Sequence, residues 1–269
     1  MSKHLPLGLE LTSNSKAGPS FSLSRADSCI YKTNVCDRYC YGNGIRYQSP
    51  SSKAKRERNF KTCEYLLAAG GAELLAENLI MLVDQCRPSD WITARVNQVA
   101  TRVPWTLRIH DVGDFYSVEY VMAWKLTVEQ RPQCRFWFYT RSFLDETLFE
   151  ALTSLASAPN CKGWLSVDSE NYERGILAYC KEPTAWGISL LQEDPSSLPP
   201  DMVPAILSNV PEGQLVNFPK HHGGRHVPVA SSALPSCPQV MGAFPLQANP
   251  ALPRPCQSCA LCLPAAISI

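Results

Sequence analysis

The sequence is poor in charge and has no surplus of either sign. Charged residues make up 18% of its 269 residues, and 25 lysines and arginines against 24 aspartates and glutamates give a formal net charge of +1. A protein that holds nucleic acid or an anionic membrane through its overall charge needs a basic excess. The sequence therefore carries no strong signal of nucleic-acid binding, and we expect no binding to a membrane surface.

A secretory signal and a membrane span are also missing from the sequence. The first 15 residues are polar, and the longest apolar stretch, 74–83, is interrupted by Glu77. A helix that crosses a bilayer needs about 20 apolar residues, and a signal peptide needs an apolar segment close to the N-terminus. We therefore expect a cytoplasmic protein without a membrane partner.

Cysteine, by contrast, is abundant, and seven of the 12 cysteines fall into two groups. The N-terminal group is Cys29, Cys36 and Cys40; the C-terminal group is Cys237, Cys256, Cys259 and Cys262. In a reducing compartment, grouped thiols indicate metal or iron–sulfur ligands rather than disulfides. Three cysteines leave one metal position open, as a catalytic cluster requires, whereas four close their site. The five single cysteines (Cys63, Cys86, Cys134, Cys161 and Cys180) are expected to be core residues.

Strand-like and helix-like segments alternate along the first 218 residues. Six strands are predicted at 20–24, 105–109, 135–140, 163–167, 184–190 and 214–218, and helices at 52–84 (with a break at Gly70-Gly71), 118–130, 144–156, 171–180 and 201–207. Alternation predicts an α/β fold, because parallel strands need long crossover connections. Periodicity alone does not separate an open sheet from a barrel, and six units fit a partial (β/α)6 barrel over residues 1–218. Residues 219–269 are predicted to form an irregular, Pro- and Cys-rich, metal- or cluster-binding extension.

Active sites of parallel β/α folds form at the carboxyl ends of the strands. The polar residues at or just after the predicted strands are Arg108, His110, Asp111, Asp114, Arg141 and Asp168, then Glu193, Asp194 and Lys220. One interpretation is a metal-dependent hydrolase that uses His110, Asp111, Asp114 and Asp168. A plainer one is that His110 and Asp111 begin a helix and that Arg141 pairs with Asp145.

The N-terminal cysteines resemble those of the radical S-adenosylmethionine enzymes. In that superfamily three cysteines after the first strand hold a [4Fe–4S] cluster, and a glycine-rich acidic turn after the second strand, here Gly113-Asp114, holds the cofactor. Six residues separate Cys29 from Cys36 and three separate Cys36 from Cys40, whereas the superfamily spacing is CxxxCxxC. The chain also resembles the phage and plasmid gene product 88 family, through its cysteines and the runs RIHDVGDF (108–115) and FWFYTR (136–141).

The radical-enzyme resemblance implies an iron–sulfur enzyme with S-adenosyl-L-methionine as cofactor and an unknown substrate. Asp111, Arg141 and Asp168 would be catalytic, and Arg108, His110, Gly113 and Asp114 would bind the cofactor. One or two [4Fe–4S] clusters would sit on the seven grouped cysteines, and a reductant such as flavodoxin or ferredoxin would supply electrons. The alternative is a zinc-stabilised, non-catalytic binding protein, with Zn at both groups and with His110 or Asp111 as the fourth N-terminal ligand.

Overall fold

The structure is a computed structural model that describes residues 7–88, 93–96, 99–102, 104–192, 198–219, 221–222, 225–226, 234–244, 246 and 253–265. Its helices are α1 (Arg25–Ser28), α2 (Asn34–Tyr39), α3 (Ile45–Gln48), α4 (Pro50–Asp84), α5 (Val118–Glu129), α6 (Glu146–Ala156), α7 (Tyr172–Lys181), α8 (Met202–Asn209) and α9 (Pro255–Cys259). Its strands are β1 (Thr12–Asn14), β2 (Gly18–Ser20), β3 (Thr93–Val96), β4 (Val99–Arg102), β5 (Thr106–Ile109), β6 (Arg135–Thr140), β7 (Cys161–Val167), β8 (Trp186–Gln192), β9 (Leu215–Pro219), β10 (His221–His222) and β11 (Arg225–His226).

Seven strands form one mostly parallel sheet. The strand order is β1-β2-β5-β6-β7-β8-β9, in which β1 and β2 are antiparallel and every later neighbour pair is parallel. Five of the six predicted strands are therefore confirmed, as β5 to β9. The strand predicted at 20–24 is wrong in its bounds, because β2 ends at Ser20 and residues 21–24 lie outside any strand. The strands from β2 to β9 in this sheet lie side by side in chain order. The structure shows a mixed α/β fold; closure into a partial barrel, like the division at residue 218, stays a prediction.

The structure adds elements that the pattern did not predict. Strand β1 joins the sheet edge as a hairpin partner of β2, and β3 and β4 form a separate antiparallel hairpin. These strands have only three or four residues each, so they carry too few alternations to show a period.

The predicted break in the long helix is confirmed. Gly70 and Gly71 leave helical geometry inside α4, and Gly71 has a φ of 67°, which favours glycine. By length and composition α4 is also apolar enough to cross a bilayer. Its second half, however, buries Leu75, Leu79 and Leu82 completely in the core. Packing inside the protein therefore accounts for these apolar residues.

The two faces of the sheet are covered by different parts of the chain. On β6, Phe136 and Phe138 join the large core that the helices cover. The alternate residues Trp137 and Tyr139 face the other way and pack against the C-terminal residues 256–263. Side chains alternate across a strand, so one strand serves both cores. The extension therefore covers the sheet face opposite the helices.

Two glycines let tryptophans lie flat on the sheet. Gly163 pairs with Trp186 and Trp164 pairs with Gly187 across β7 and β8. A Cβ atom on Gly163 would lie 2.5 Å from the Trp186 ring, and one on Gly187 would lie 2.6 Å from the Trp164 ring. Neither tryptophan could keep its position beside alanine. Trp186 packs with the helices, whereas Trp164 supports the extension through a bond from Nε1 to the Cys262 carbonyl oxygen (3.0 Å).

We predict that Gly187→Ala loosens the C-terminal extension. The added methyl group displaces Trp164, and overpacking of this kind costs about 2 kcal/mol of unfolding free energy. The measurement is limited proteolysis with mass mapping, together with urea unfolding. Gly213→Ala is the matched control, because a Cβ there meets no atom within 4 Å. Equal cleavage of the extension in both variants would contradict the prediction.

Candidate functional site

The N-terminal cysteines lie on a loop of short helices that follows β2. Cys29 ends α1, Cys36 lies within α2, and Cys40 ends α2. The side chain of Thr33 begins α2, since its Oγ1 accepts the Cys36 N–H at 2.9 Å. The same hydroxyl donates to Asp168 Oδ2 at 2.6 Å. The cysteine loop is therefore attached to the carboxyl end of β7.

The three N-terminal thiols are close enough to influence one another. Burial raises the pKa of Cys29, and the charges of Asp114, Cys36 and Cys40 raise it further. Burial also raises the pKa of Cys36 to about 11, although the positive charge of Arg141 opposes this shift. The free thiols of Cys29 and Cys36 are thus held protonated. A bound metal cation would reverse these shifts, because it stabilises thiolates.

Asp114 connects the segment after β5 to the end of β6, next to the cysteine loop. Its carboxylate accepts bonds from Phe115 N–H (2.8 Å), Arg141 N–H (2.8 Å) and Thr140 Oγ1 (2.7 Å). Burial nevertheless raises its pKa. The preceding Gly113 has a φ of 102°, and a Cβ on it would lie 2.9 Å from Ser28 Oγ, one residue before Cys29. The Gly113-Asp114 turn therefore supports the start of the cysteine loop.

Arg141 and Asp168 form a buried ion pair beside the same thiols. Arg141 Nη2 lies 3.0 Å from Asp168 Oδ2, and the two side chains are 13% and 0% exposed. The interpretation that Arg141 pairs with Asp145 is wrong, because the side chain of Asp145 instead accepts the Leu148 N–H and begins α6. The structure thus brings together Asp114, Arg141, Asp168 and the three N-terminal cysteines.

His110 lies apart from the thiols, on the helix-covered side of the sheet. Its Nε2 bonds to Tyr120 Oη at 2.8 Å, and its ring packs edge-on against Phe115. Burial, together with the charge of Arg108, lowers the pKa of His110 to about 3. It is therefore a neutral core side chain, and the idea that it begins a helix is wrong, since α5 begins at Val118.

Asp111 and Arg108 form a second polar group on the opposite face. Asp111 accepts bonds from Asn14 Nδ2 (2.7 Å) and Tyr47 Oη (3.0 Å), and Arg108 Nη1 lies 3.6 Å from Asp111 Oδ1. Arg108 Nη2 donates to Tyr41 Oη at 3.0 Å, and its guanidinium stacks over the Tyr139 ring at 4.8 Å. Arg108 therefore joins the residue after Cys40 to the face that carries the extension.

The C-terminal cysteines converge over that face. Cys256 and Cys259 lie on α9, and Cys262 follows it. The Cys237 N–H donates to the Asn217 carbonyl oxygen of β9 at 2.9 Å. Burial raises the pKa of Cys256 to about 11; Arg108 lowers it, and Cys237 and Cys259 raise it. Burial raises the pKa of Cys262, and the charges of Cys256, Cys237 and Cys259 raise it further. The four thiols therefore lie near one another, with Arg108 beside Cys256.

The donor chemistry of both groups fits an iron–sulfur cluster or zinc. All seven cysteines are free thiols, and soft thiolates select these metals. Within the described residues, however, no group of three or more His, Cys, Asp or Glu side chains is placed to hold a metal ion.

Sequence reasoning missed several residues of these sites. Thr33, Tyr41 and Tyr139 connect the loop, the sheet and the extension, and only the position of Tyr41 next to Cys40 gave a signal. Of the single cysteines, Cys63, Cys134 and Cys161 are buried as predicted, whereas Cys180 is exposed. Glu193, Asp194 and Lys220 lie outside the described residues.

We predict that acid weakens the fold through His110. Its folded pKa of about 3 lies below the ordinary value, so the unfolded chain gains a proton first as pH falls below about 6.5. His110→Asn removes this titration and keeps a residue type that tolerates the φ of 63°. Urea unfolding should show the stability difference between wild type and His110→Asn shrinking by about 2 kcal/mol from pH 7 to pH 4.5. A constant difference would contradict the assignment.

Comparison with known proteins gives a family but no established chemistry. A family model described as Gene product 88 matches residues 4–263. The Gene 88 protein of Mycobacterium phage L5 is 26% identical over 114 residues, which cover 42% of this chain and 43% of that protein. The Gene 88 protein of Mycobacterium phage D29 is 25% identical over 114 residues, 42% of each chain. The chain thus spans less than half the length of these curated relatives, and no solved structure matches.

Proposed function

We propose that this chain, which belongs to the Gene product 88 family, is an iron–sulfur enzyme of radical S-adenosylmethionine type. The observation that carries the proposal is the position of Cys29, Cys36 and Cys40. These three thiols stand beside Arg141 and Asp168 at the carboxyl ends of parallel strands. A cluster held by three cysteines keeps one iron open to a ligand.

The cofactor chemistry would belong to the bound groups. A [4Fe–4S] cluster with S-adenosyl-L-methionine supplies one electron to a sulfonium and allows hydrogen abstraction from a substrate. The chain would position the cofactor through the Gly113-Asp114 turn, which already supports the loop before Cys29. A reductant such as flavodoxin or ferredoxin would supply the electron, and a cytoplasmic location would keep the thiols reduced.

Arg141 would bind a carboxylate of cofactor or substrate. Its guanidinium is largely buried, and its one ion-pair partner in the described structure is Asp168. A planar guanidinium can bind two carboxylates on different edges. Asp168 would then orient Arg141, while Asp111 would orient Arg108 on the opposite face.

A zinc-stapled binding protein is the second candidate, and the C-terminal extension favours it. Four neighbouring thiols hold a segment whose longest described helix, α9, has five residues. A structural zinc supplies folding energy to such segments. At the N-terminal site, however, His110 bonds to Tyr120 and Asp111 bonds to Asn14. Neither side chain is therefore free to serve as the fourth zinc ligand beside the three cysteines.

We predict that anaerobically purified protein contains about eight irons and eight sulfides per chain, as two cubane clusters would require. Cys36→Ser and Cys259→Ser should each lose about half of both. Cys180→Ser is the matched control, since this exposed cysteine belongs to neither group. Iron, sulfide and zinc analysis with a visible spectrum is the measurement.

Zinc without iron would overturn the radical-enzyme proposal and leave the zinc-stapled protein. Iron lost from Cys259→Ser but not from Cys36→Ser would show that only the C-terminal site holds a cluster. If both clusters are present, equilibrium dialysis with S-adenosyl-L-methionine decides whether the protein binds this cofactor. Unchanged affinity in Asp114→Asn would remove the Gly113-Asp114 turn from that role.

A further inference from the structure

A polar cavity of about 330 Å³ lies between the β1–β2 edge of the sheet and the beginning of α4. Five serine and threonine residues line it, with the cations Arg46, Lys55 and Arg56 and one carboxylate, Asp111. Its size lies at the lower end of the range of small-molecule sites. Neither cysteine group lines it, so it is a separate place from the proposed cluster sites.

Arg56 is a buried cation without an anionic partner in the described part of the chain. Its side chain belongs to a residue only 7% exposed, and it donates to two neutral acceptors, Ser52 Oγ (2.8 Å) and the Tyr47 carbonyl oxygen (2.7 Å). Burial lowers its pKa, and the charges of Asp111 and Glu57 oppose this shift without cancelling it. An uncompensated buried charge is costly to the fold, and a bound anion offsets that cost.

The other charged residues that line the cavity do not cancel its excess of positive charge. Asp111 is engaged with Asn14, Tyr47 and Arg108. Lys55 lies 3.4 Å from Glu10 Oε2 and is partly neutralised. Arg46, like Arg56, forms no ion pair among the described residues; it donates instead to the Ser13 carbonyl oxygen at 2.6 Å. Two unpaired guanidinium groups therefore face one polar cavity.

We propose that this cavity binds a small phosphorylated molecule. The phosphate group would lie against Arg46 and Arg56, because the fork of N–H donors on arginine matches phosphate oxygens. Hydroxyls of Ser51 and Ser52 add further donors. A phosphomonoester carries more negative charge and more acceptor oxygens than a carboxylate, so it uses more of these donors. The remaining volume admits a small organic part.

The test is isothermal titration calorimetry on the full chain at constant ionic strength. The probes are inorganic phosphate, glycerol 3-phosphate, glycerol and a short single-stranded oligonucleotide. We expect phosphate and glycerol 3-phosphate to bind and glycerol not to bind. Arg46→Gln and Arg56→Gln should each weaken phosphate binding about tenfold, the effect of losing one charge-assisted hydrogen bond.

Lys53→Gln is the matched control. Lys53 lies in the first turn of α4, next to Ser52, and is exposed. It does not line the cavity, so its loss should change phosphate binding less than about twofold. If Arg56→Gln does not fold, the effect of Arg46→Gln on phosphate binding decides, because Arg46 is exposed and its replacement should not disturb the fold. Absence of phosphate binding, equal weakening by Lys53→Gln, or binding of the oligonucleotide without glycerol 3-phosphate would each overturn the proposal.

Discussion

The arrangement of both cysteine groups depends on the largely buried charge of Arg108. A guanidinium on the face of a sheet is stable only if anions, acceptors or aromatic rings surround it. Arg108 meets this need with Asp111 next to its own strand, Tyr41 from the N-terminal loop and Tyr139 from the neighbouring strand. Tyr41 Oη in turn donates to the Asp111 carbonyl oxygen. The loop that carries Cys40 is thereby fixed against the face on which Cys256 lies.

The two faces of the sheet solve different packing problems. Regular helices cover one face and bury their apolar side chains against it in the large core. The other face is covered by the described part of the extension, in which α9 is the one α-helix. Side chains of the sheet hold it through hydrogen bonds to its carbonyl oxygens, such as those from Trp164 to Cys262 and from Arg135 to Pro264. A metal bound by the four neighbouring thiols, as proposed above, would cross-link the extension and couple metal binding to its folding.

The sequence predicted the elements that long-period patterns specify and missed those that depend on contacts far apart in the chain. Helix α4, its glycine break and the five strands β5 to β9 were readable because each spans several periods or belongs to a regular alternation. Strand β1 was not, since its three residues gain their conformation from pairing with β2. At the site, the strand-end rule placed Asp114, Arg141 and Asp168 together. It could not foresee that Thr33 binds Asp168 across 135 positions.

The same rule failed for His110 and Asp111, and the reason is local. His110 adopts a left-handed φ of 63°, which turns its side chain into the helix-covered core and sends Asp111 to the opposite face. These two adjacent polar residues therefore lie on opposite faces of the sheet. Asp111 lines the cationic cavity and also pairs with Arg108, which stands beside Cys256. A change at Asp111 would disturb both places at once. Substitutions at side chains that belong to only one of them are therefore needed to test the two proposals separately.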